Sequence, residues 1–364
     1  MDPVVSIVVP CYKLAHLLSE CIESILKQTF QDFEILVMDN CSPDHTPEVV
    51  RSIGDARVKY IRNDSNIGHL RNFNRGIAMS RGKYVWLISA DDLLRTPRVL
   101  DQYVRVLERN PRVGYAFCRA IELQNGKEAG IVRWADCGDE DRIWKGTRFL
   151  YRLVESNCIV FSSVIARKEC YEQAGSFPLD LPFASDWYLW SLFALHYDVA
   201  YFSEPMVCLR LHEDSLTTSN LREDSPVCVS DEFAVRWRVG QKAEAFGLGS
   251  LRRACRAALV YRAALALTAG ISSTSNRNIT EAQLEQLLAQ CIARPADQKG
   301  VLADVYTRVA DIQYWKGEYT AARKFYELAL GLDPWRLGSR VKWLLLRSGG
   351  VGASVRATVR RLQP

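Results

Sequence analysis

The chain has 364 residues, 48% hydrophobic and 24% charged, with a net charge of +5. That length exceeds one compact core and predicts two domains, and the ordinary composition excludes extended disorder. Eleven cysteines lie scattered without a CxxC pair, and the apolar run from Val4 to Val9 lacks the length and basic leader of a signal peptide, so a reducing, cytosolic setting is expected.

The first ninety or so residues alternate short apolar runs with amphipathic helical patterns, which predicts βαβ units and a mainly parallel sheet. Strands are expected at Val5–Val9, Glu34–Met38, Val58–Ile61 and Tyr84–Ile88. Leu17, Leu18, Cys21, Ile22, Ile25 and Leu26 recur at helical spacing, as do Phe73, Ile77 and Ala78. The loop after the first strand, Pro10-Cys11-Tyr12-Lys13, has no glycine. This argues against dinucleotide binding, a P-loop, or the Gly-rich loop of a nucleotidyltransferase, all of which need backbone close to phosphate.

Asp39 ends the second strand, where it can accept bonds from a base or ribose. Nearby Asp44 or Thr46 can instead cap the next helix. In Asn66-Ile67-Gly68-His69-Leu70-Arg71-Asn72, the last two residues fall at a helix start and suit an anion or base contact. The strand from Tyr84 then runs into Asp91 and Asp92. Ligand sites in such sheets lie at the carboxyl ends of strands, and two adjacent carboxylates repel unless a cation compensates. Mg²⁺ or Mn²⁺ shared with a ligand's phosphates would do so. The competing reading makes them the N-cap and first-turn acids of a helix over Pro97–Glu108.

After Asp92 the pattern loosens, with strands expected at Val113–Cys118, Ile131–Trp134, Val160–Ile165 and Met206–Leu211 and helices at Phe149–Val154 and Trp187–His196, all on the same sheet. Near Thr217 the texture becomes almost continuously helical, which predicts one domain over 1–222 and a helical one over 223–364, with a linker at Gly270–Asn278. Residues 303–336 resemble one tetratricopeptide repeat through Gly317, Tyr319, Ala322, Tyr326, Ala329 and Asp333-Pro334, although Tyr306 and Ala310 replace the usual Trp and Gly. A lone repeat needs neighbouring helices to stack on, and the alternative is an ordinary helical hairpin. From Trp335 to Pro364 there are seven Lys or Arg and no Asp or Glu, more than the whole chain's excess. With Trp343 and Leu344 to Leu346, this tail reads either as a contact for an anionic membrane surface or as a solvated helix. No stacking platform or reader motif accompanies the charge, so nucleic acid is not an expected partner.

Taken in order, Val-Pro-x-Tyr12, Asp39-Asn40-x-Ser42-x-Asp44, Asn66-x-Gly68 with Arg71-Asn72, and Ser89-Ala90-Asp91-Asp92 resemble the donor half of family 2 glycosyltransferases. Downstream, Ser162-Ser163-Val164 with Arg167, Gly175-x-Phe177, Asp186-Trp187-Tyr188-Leu189 and Leu209-Arg210-Leu211-His212 resemble their acceptor half, so the likeness covers roughly residues 4–219. It implies an α/β GT-A fold, a Rossmann-like mixed, mainly parallel sheet flanked by helices, followed here by an all-α C-terminal domain. It further implies a UDP-, GDP- or dTDP-linked sugar donor contacted by Pro10, Tyr12, Asp39, Asn66, Arg71, Asn72 and Asp91. Asp92 would be the leading ligand of Mn²⁺ or Mg²⁺, with Asp91 beside it.

His212 would complete the metal shell, Asp186 would be the general base that takes the acceptor hydroxyl's proton, and Trp187 would either face the acceptor sugar or fill the core. Two residues depart from the family pattern: Ser89 replaces the usual first acid, and Lys13 replaces the Asn common after Val-Pro-x-Tyr. The resemblance points to a glycan or lipid-linked acceptor and to work at the cytosolic face of a membrane, with the helical domain open to a protein partner or self-association. The rival from another class is a noncatalytic adaptor that recruits partners through that domain.

Overall fold

Every residue of β1 (Val5–Cys11), β2 (Phe33–Asp39) and β4 (Tyr84–Leu87) is buried, because these continuous apolar runs pair side by side in parallel and are covered on both faces. β1 pairs with β2 on one edge and β4 on the other, and β2 pairs with β3 (Val58–Arg62), all in parallel. The computed structural model describes residues 2–212, 226–271 and 279–348. The chain divides into two units, Met1–Glu223 and Asp224–Pro364.

In the first unit one sheet runs in the order β3-β2-β1-β4-β9-β6-β10-β5. Its second half contains β5 (Leu93–Leu94), β6 (Val113–Gln124), β7 (Lys127–Ile131), β8 (Arg142–Trp144), β9 (Ile165–Arg167) and β10 (Asp198–Arg210). The long β6–β10 pairing is parallel, and the short strands β5, β7, β8 and β9 join antiparallel. The result is the mixed, mainly parallel α/β sheet expected from the sequence.

The helices here are α1 (Ala15–Leu26), α2 (Thr46–Ile53), α3 (His69–Met79), α4 (Val99–Arg109), α5 (Gly146–Leu153), α6 (Lys168–Ala174) and α7 (Ser185–His196). Leu18, Cys21, Ile22 and Ile25 of α1 join the core with the alternate residues Val5, Ile7 and Val9 of β1. α3 comes so close to the sheet that Gly76 rests against Val8 and Met38, leaving no room for a larger residue.

Two expected strands are replaced. Over Ile131–Trp134, β7 ends at Ile131 and a 3₁₀ turn covers Arg133–Ala135, because Val132 and Ala135 turn inward with Ala120 and Val160. Over Val160–Ile165 a 3₁₀ turn, Phe161–Ser163, precedes β9. There the Ser163 hydroxyl donates back to Val160 O, a local bond that competes with a strand ladder. The strand expected at Met206–Leu211 begins earlier, at Asp198, and passes a register shift at Pro205, which has no N–H to give to a ladder.

The second unit is helical throughout its described residues: α8 (Pro226–Ala245), α9 (Gly249–Ile271), α10 (Glu281–Cys291), α11 (Pro295–Lys316), α12 (Tyr319–Leu332) and α13 (Leu337–Arg347). Thr280 caps α10 through a reciprocal capping box with Gln283, and Gly317 ends α11 in the left-handed conformation. Tyr306, Ala310, Ala322, Tyr326 and Ala329 are buried in its core, and the Tyr326 hydroxyl donates to Asp311 at 2.6 Å. Most of the expected linker and the tail beyond Ser348 lie outside the described residues.

Candidate active site

β2 lies to one side of β1 and β4 to the other, so the strand order reverses at β1 and opens a crevice at the carboxyl ends of β1 and β4. Pro10 is buried within β1, level with Met38. Beyond it the Tyr12 ring is exposed, and Lys13 takes a φ of 60°, a region where asparagine is enriched among non-glycine residues. That explains physically why Asn is the common residue here in the family pattern. The Lys13 N–H is held by Ser42 Oγ at 3.1 Å.

The β4 strand leads into Ser89-Ala90-Asp91-Asp92, and the two acids diverge. Asp92 turns inward, with one oxygen accepting from Ser162 Oγ and the other from the Arg210 N–H at 2.9 Å. Burial, and then the neighbouring Asp91 charge, push its carboxyl well above the ordinary range. Asp91 turns the other way. Its Oδ2 lies 2.8 Å from His212 Nε2, and its Oδ1 is buried without a hydrogen-bond partner. The Arg210 side chain fixes the loop by donating to Asp91 O at 2.9 Å and to Glu20 at 2.6 Å. Neither acid caps a helix: α4 begins after Arg98.

No cluster of three or more His, Cys, Asp or Glu side chains arranged for a metal occurs among the described residues. Mg²⁺ and Mn²⁺ do not need one, since one or two protein ligands suffice when a diphosphate supplies the others. Asp91 fits that requirement, with Oδ1 buried without a hydrogen-bond partner and Oδ2 facing His212. Asp92, expected to lead, has both oxygens engaged within the protein.

Asp39 is fully buried at the end of β2. It accepts from the Ser42 N–H at 2.8 Å, the Tyr60 hydroxyl at 2.5 Å and Arg62 at 2.6 Å. Tyr60 and Arg62 therefore close over the carboxylate expected to meet a base. Asn66 Oδ1 accepts from Asn40 Nδ2 and the Gly68 N–H, which shapes the turn into α3. Asn72 faces inward, donating to Met38 O and accepting from Asn63, both within 2.9 Å, so it braces the sheet. Arg71 is exposed at the start of α3.

Asp186 stands in the first turn of α7. One oxygen accepts from the Trp187 N–H at 2.6 Å and the other from Asn157 Nδ2 at 3.4 Å, and desolvation raises its carboxyl to about 6. The Trp187 indole is buried and donates to Leu153 O at 2.7 Å, so it fills the interior. Segment 157–163 ties the two halves together: Asn157 touches Asp186, while Ser162 holds Asp92 and also accepts from the Ser89 N–H at 3.1 Å. The roles of Asn157, Arg62 and the Arg210 backbone escape sequence reading, because each depends on a long-range contact with no local signature.

Residues 6–174, just under half of the chain, match the model of glycosyl transferase family 2. An uncharacterized glycosyltransferase of Haemophilus influenzae is 32% identical over 218 residues, 58% of this chain and 66% of the relative. The Escherichia coli protein WfgD, named as a UDP-Glc:alpha-D-GlcNAc-diphosphoundecaprenol beta-1,3-glucosyltransferase, is 23% identical over 61% of this chain and 83% of its own. Among solved structures, S. aureus TarS 1-349 in complex with UDP-GlcNAc superposes with a TM-score of 0.64 at 18% identity, over 87% of this chain and 92% of that one. That likeness carries the fold alone. The chain spans just under two thirds of the first curated relative it matches, and smaller shares of the next two.

Proposed function

We propose that the chain is a metal-dependent, inverting glycosyltransferase that moves a sugar from a nucleoside diphosphate sugar to a hydroxyl of a growing glycan or lipid-linked acceptor. One observation carries the reading: an acid pair split by role at the switch point, with Asp91 facing His212 and Asp92 joined through segment 157–163 to a half-buried Asp186. Asp91 and His212 would hold Mg²⁺ or Mn²⁺, which supplies positive charge beside a leaving diphosphate. Asp92 holds the loop in register through Ser162 and Arg210.

Asp186 takes the acceptor hydroxyl's proton as that oxygen attacks the anomeric carbon, and a single displacement inverts configuration. Desolvation makes it a stronger base than a solvated carboxylate, nearer the working pH. For a base contact with Asp39, the Arg62 and Tyr60 side chains must swing aside. Arg71, exposed at the start of α3, is free to meet the donor's anionic part.

TarS in complex with UDP-GlcNAc and the UDP-Glc in the name of the WfgD transferase support placing UDP-sugars first in a donor panel, with GDP- and dTDP-sugars beside them. The assay follows nucleoside diphosphate release with Mn²⁺ or Mg²⁺ and a lipid-linked or oligosaccharide acceptor. Metal-dependent release that is lost in Asp186→Ala supports the reading, and release of pyrophosphate would refute it. No helix among the described residues is long and apolar enough to cross a membrane, and the cytosolic setting is proposed with the basic tail as a peripheral contact. Deleting 336–364 should release the protein from anionic vesicles while leaving donor binding intact. The helical unit, with its tetratricopeptide-like hairpin, is proposed as the surface for a protein partner or a second copy, read by sedimentation at increasing concentration.

A further inference from the structure

Cys137 and Cys158, 21 residues apart, meet beside an open hollow of about 670 Å³ whose wall includes Cys137, Arg142, Trp144, Arg148 and Arg152. Both thiols are free. Cys137 Sγ lies 4.0 Å from Cys158 O, and Arg152 lines the same hollow as Cys137. Arg152 is itself anchored by a 2.6 Å bond to Asp136 O. Nothing in the proposed transfer chemistry uses this group.

The two sulfurs are not equivalent. The Cys158 thiol, and then Arg152, pull the Cys137 thiol below its ordinary value against burial and the Asp136 charge, while Cys158 is pushed up by its bond to Cys137 and by burial. Burial instead raises the thiols of Cys11, Cys21, Cys118, Cys170, Cys208 and Cys255. A low-pKa thiol on the wall of a hollow that an arginine also lines, against the backbone of a second cysteine, is the arrangement of a redox-active pair.

We propose that Cys137 and Cys158 form a reversible intramolecular disulfide when the protein meets a peroxide. The Cys137 thiolate attacks one peroxide oxygen, the O–O bond breaks and hydroxide leaves, becoming water with the proton that the Cys137 thiol had released to solvent, and a sulfenic acid remains. The Cys158 sulfur then attacks the Cys137 sulfur, the S–O bond breaks, and the departing hydroxide takes the Cys158 proton to leave as a second water. The thiol pair loses two electrons and the peroxide gains them. The new bond fastens the segment that carries Asn157, the partner of Asp186, and Ser162, the partner of Asp92. Any effect on sugar transfer rests on the proposed function, whereas formation of the bond does not.

The test uses the full, reduced chain, treated with a small excess of hydrogen peroxide, alkylated and mapped by mass spectrometry of its peptides, so no activity is required. The Cys137–Cys158 linked peptide should dominate and return to two alkylated peptides after dithiothreitol. In Cys158→Ser, Cys137 should accumulate as a sulfenic acid captured by dimedone, and Arg152→Met should slow formation of the bond roughly tenfold. The proposal is overturned if Cys137 and Cys158 both remain alkylatable in the native chain, or if Cys137 pairs with another cysteine.

Discussion

His212 Nε2 stands 2.8 Å from Asp91 Oδ2 across 121 residues of chain, whereas Asp92, next to Asp91, looks back into the protein. The two acids should therefore separate in mutagenesis. Asp91→Asn and His212→Ala should each weaken metal-dependent nucleotide binding by more than about tenfold, with little change in melting temperature. Asp92→Ala should act mainly on stability, at about 2–3 kcal/mol, by orphaning the Ser162 hydroxyl and the Arg210 N–H. Calorimetric titration beside thermal melts checks both, and equal loss of binding in Asp91→Asn and Asp92→Asn would show that the roles are not divided.

Ser162 is fully buried and bridges the Ser89 N–H to Asp92. Removing its hydroxyl in Ser162→Ala leaves two buried polar groups unmatched and should cost about 2 kcal/mol by urea unfolding. Ser162→Thr keeps the hydroxyl and should recover part of the loss.

Asp186 gives a pH signature. Its folded carboxyl titrates near 6 because burial disfavours the charge, above the unfolded value of about 4. The folded state thus holds the proton more tightly, and its contribution to stability is present below about pH 4 and lost as pH climbs through 6. Asp186→Asn should stabilise the protein by about 1–2 kcal/mol at pH 7.5, with no gain at pH 4, while abolishing transfer. In the native enzyme, transfer should rise through about pH 6 as the base ionises.

Lys13 bears a φ of 60° that costs a lysine about 1–2 kcal/mol. Lys13→Asn should recover roughly half of this, about 0.5–1 kcal/mol, as a melting temperature raised by a few degrees. The bond from the residue 13 N–H to Ser42 Oγ is a backbone contact that the substitution leaves in place.

The sheet was legible because Val5–Cys11, Phe33–Asp39 and Tyr84–Leu87 are apolar without interruption, a pattern that few structures other than a doubly covered strand accommodate. The candidate site was expected at strand ends, and Asp39 at the end of β2 and the Asp91–Asp92 pair after β4 stand there. Which way each side chain turns was not legible. Asp91 and Asp92 are told apart by Arg210 and Ser162, which arrive from 118 and 70 residues away. Asn72 looks like a surface residue at a helix start, yet Met38 O and Asn63 claim it. Trp187 is aromatic beside the proposed base, but the Leu153 carbonyl draws its indole inward. The 3₁₀ turn at Phe161–Ser163 was hidden because Val160 and Val164 around it are β-branched, and the serine hydroxyls decide the backbone there.

The most direct test is calorimetric titration of UDP, GDP and dTDP into the full chain with and without Mn²⁺ or Mg²⁺, in the native protein, Asp91→Asn and Asp186→Asn. One nucleotide should bind with the metal, bind far more weakly without it or in Asp91→Asn, and bind normally in Asp186→Asn. Absence of metal-dependent binding for all three, or undiminished binding in Asp91→Asn, would contradict a donor site built on Asp91 and His212.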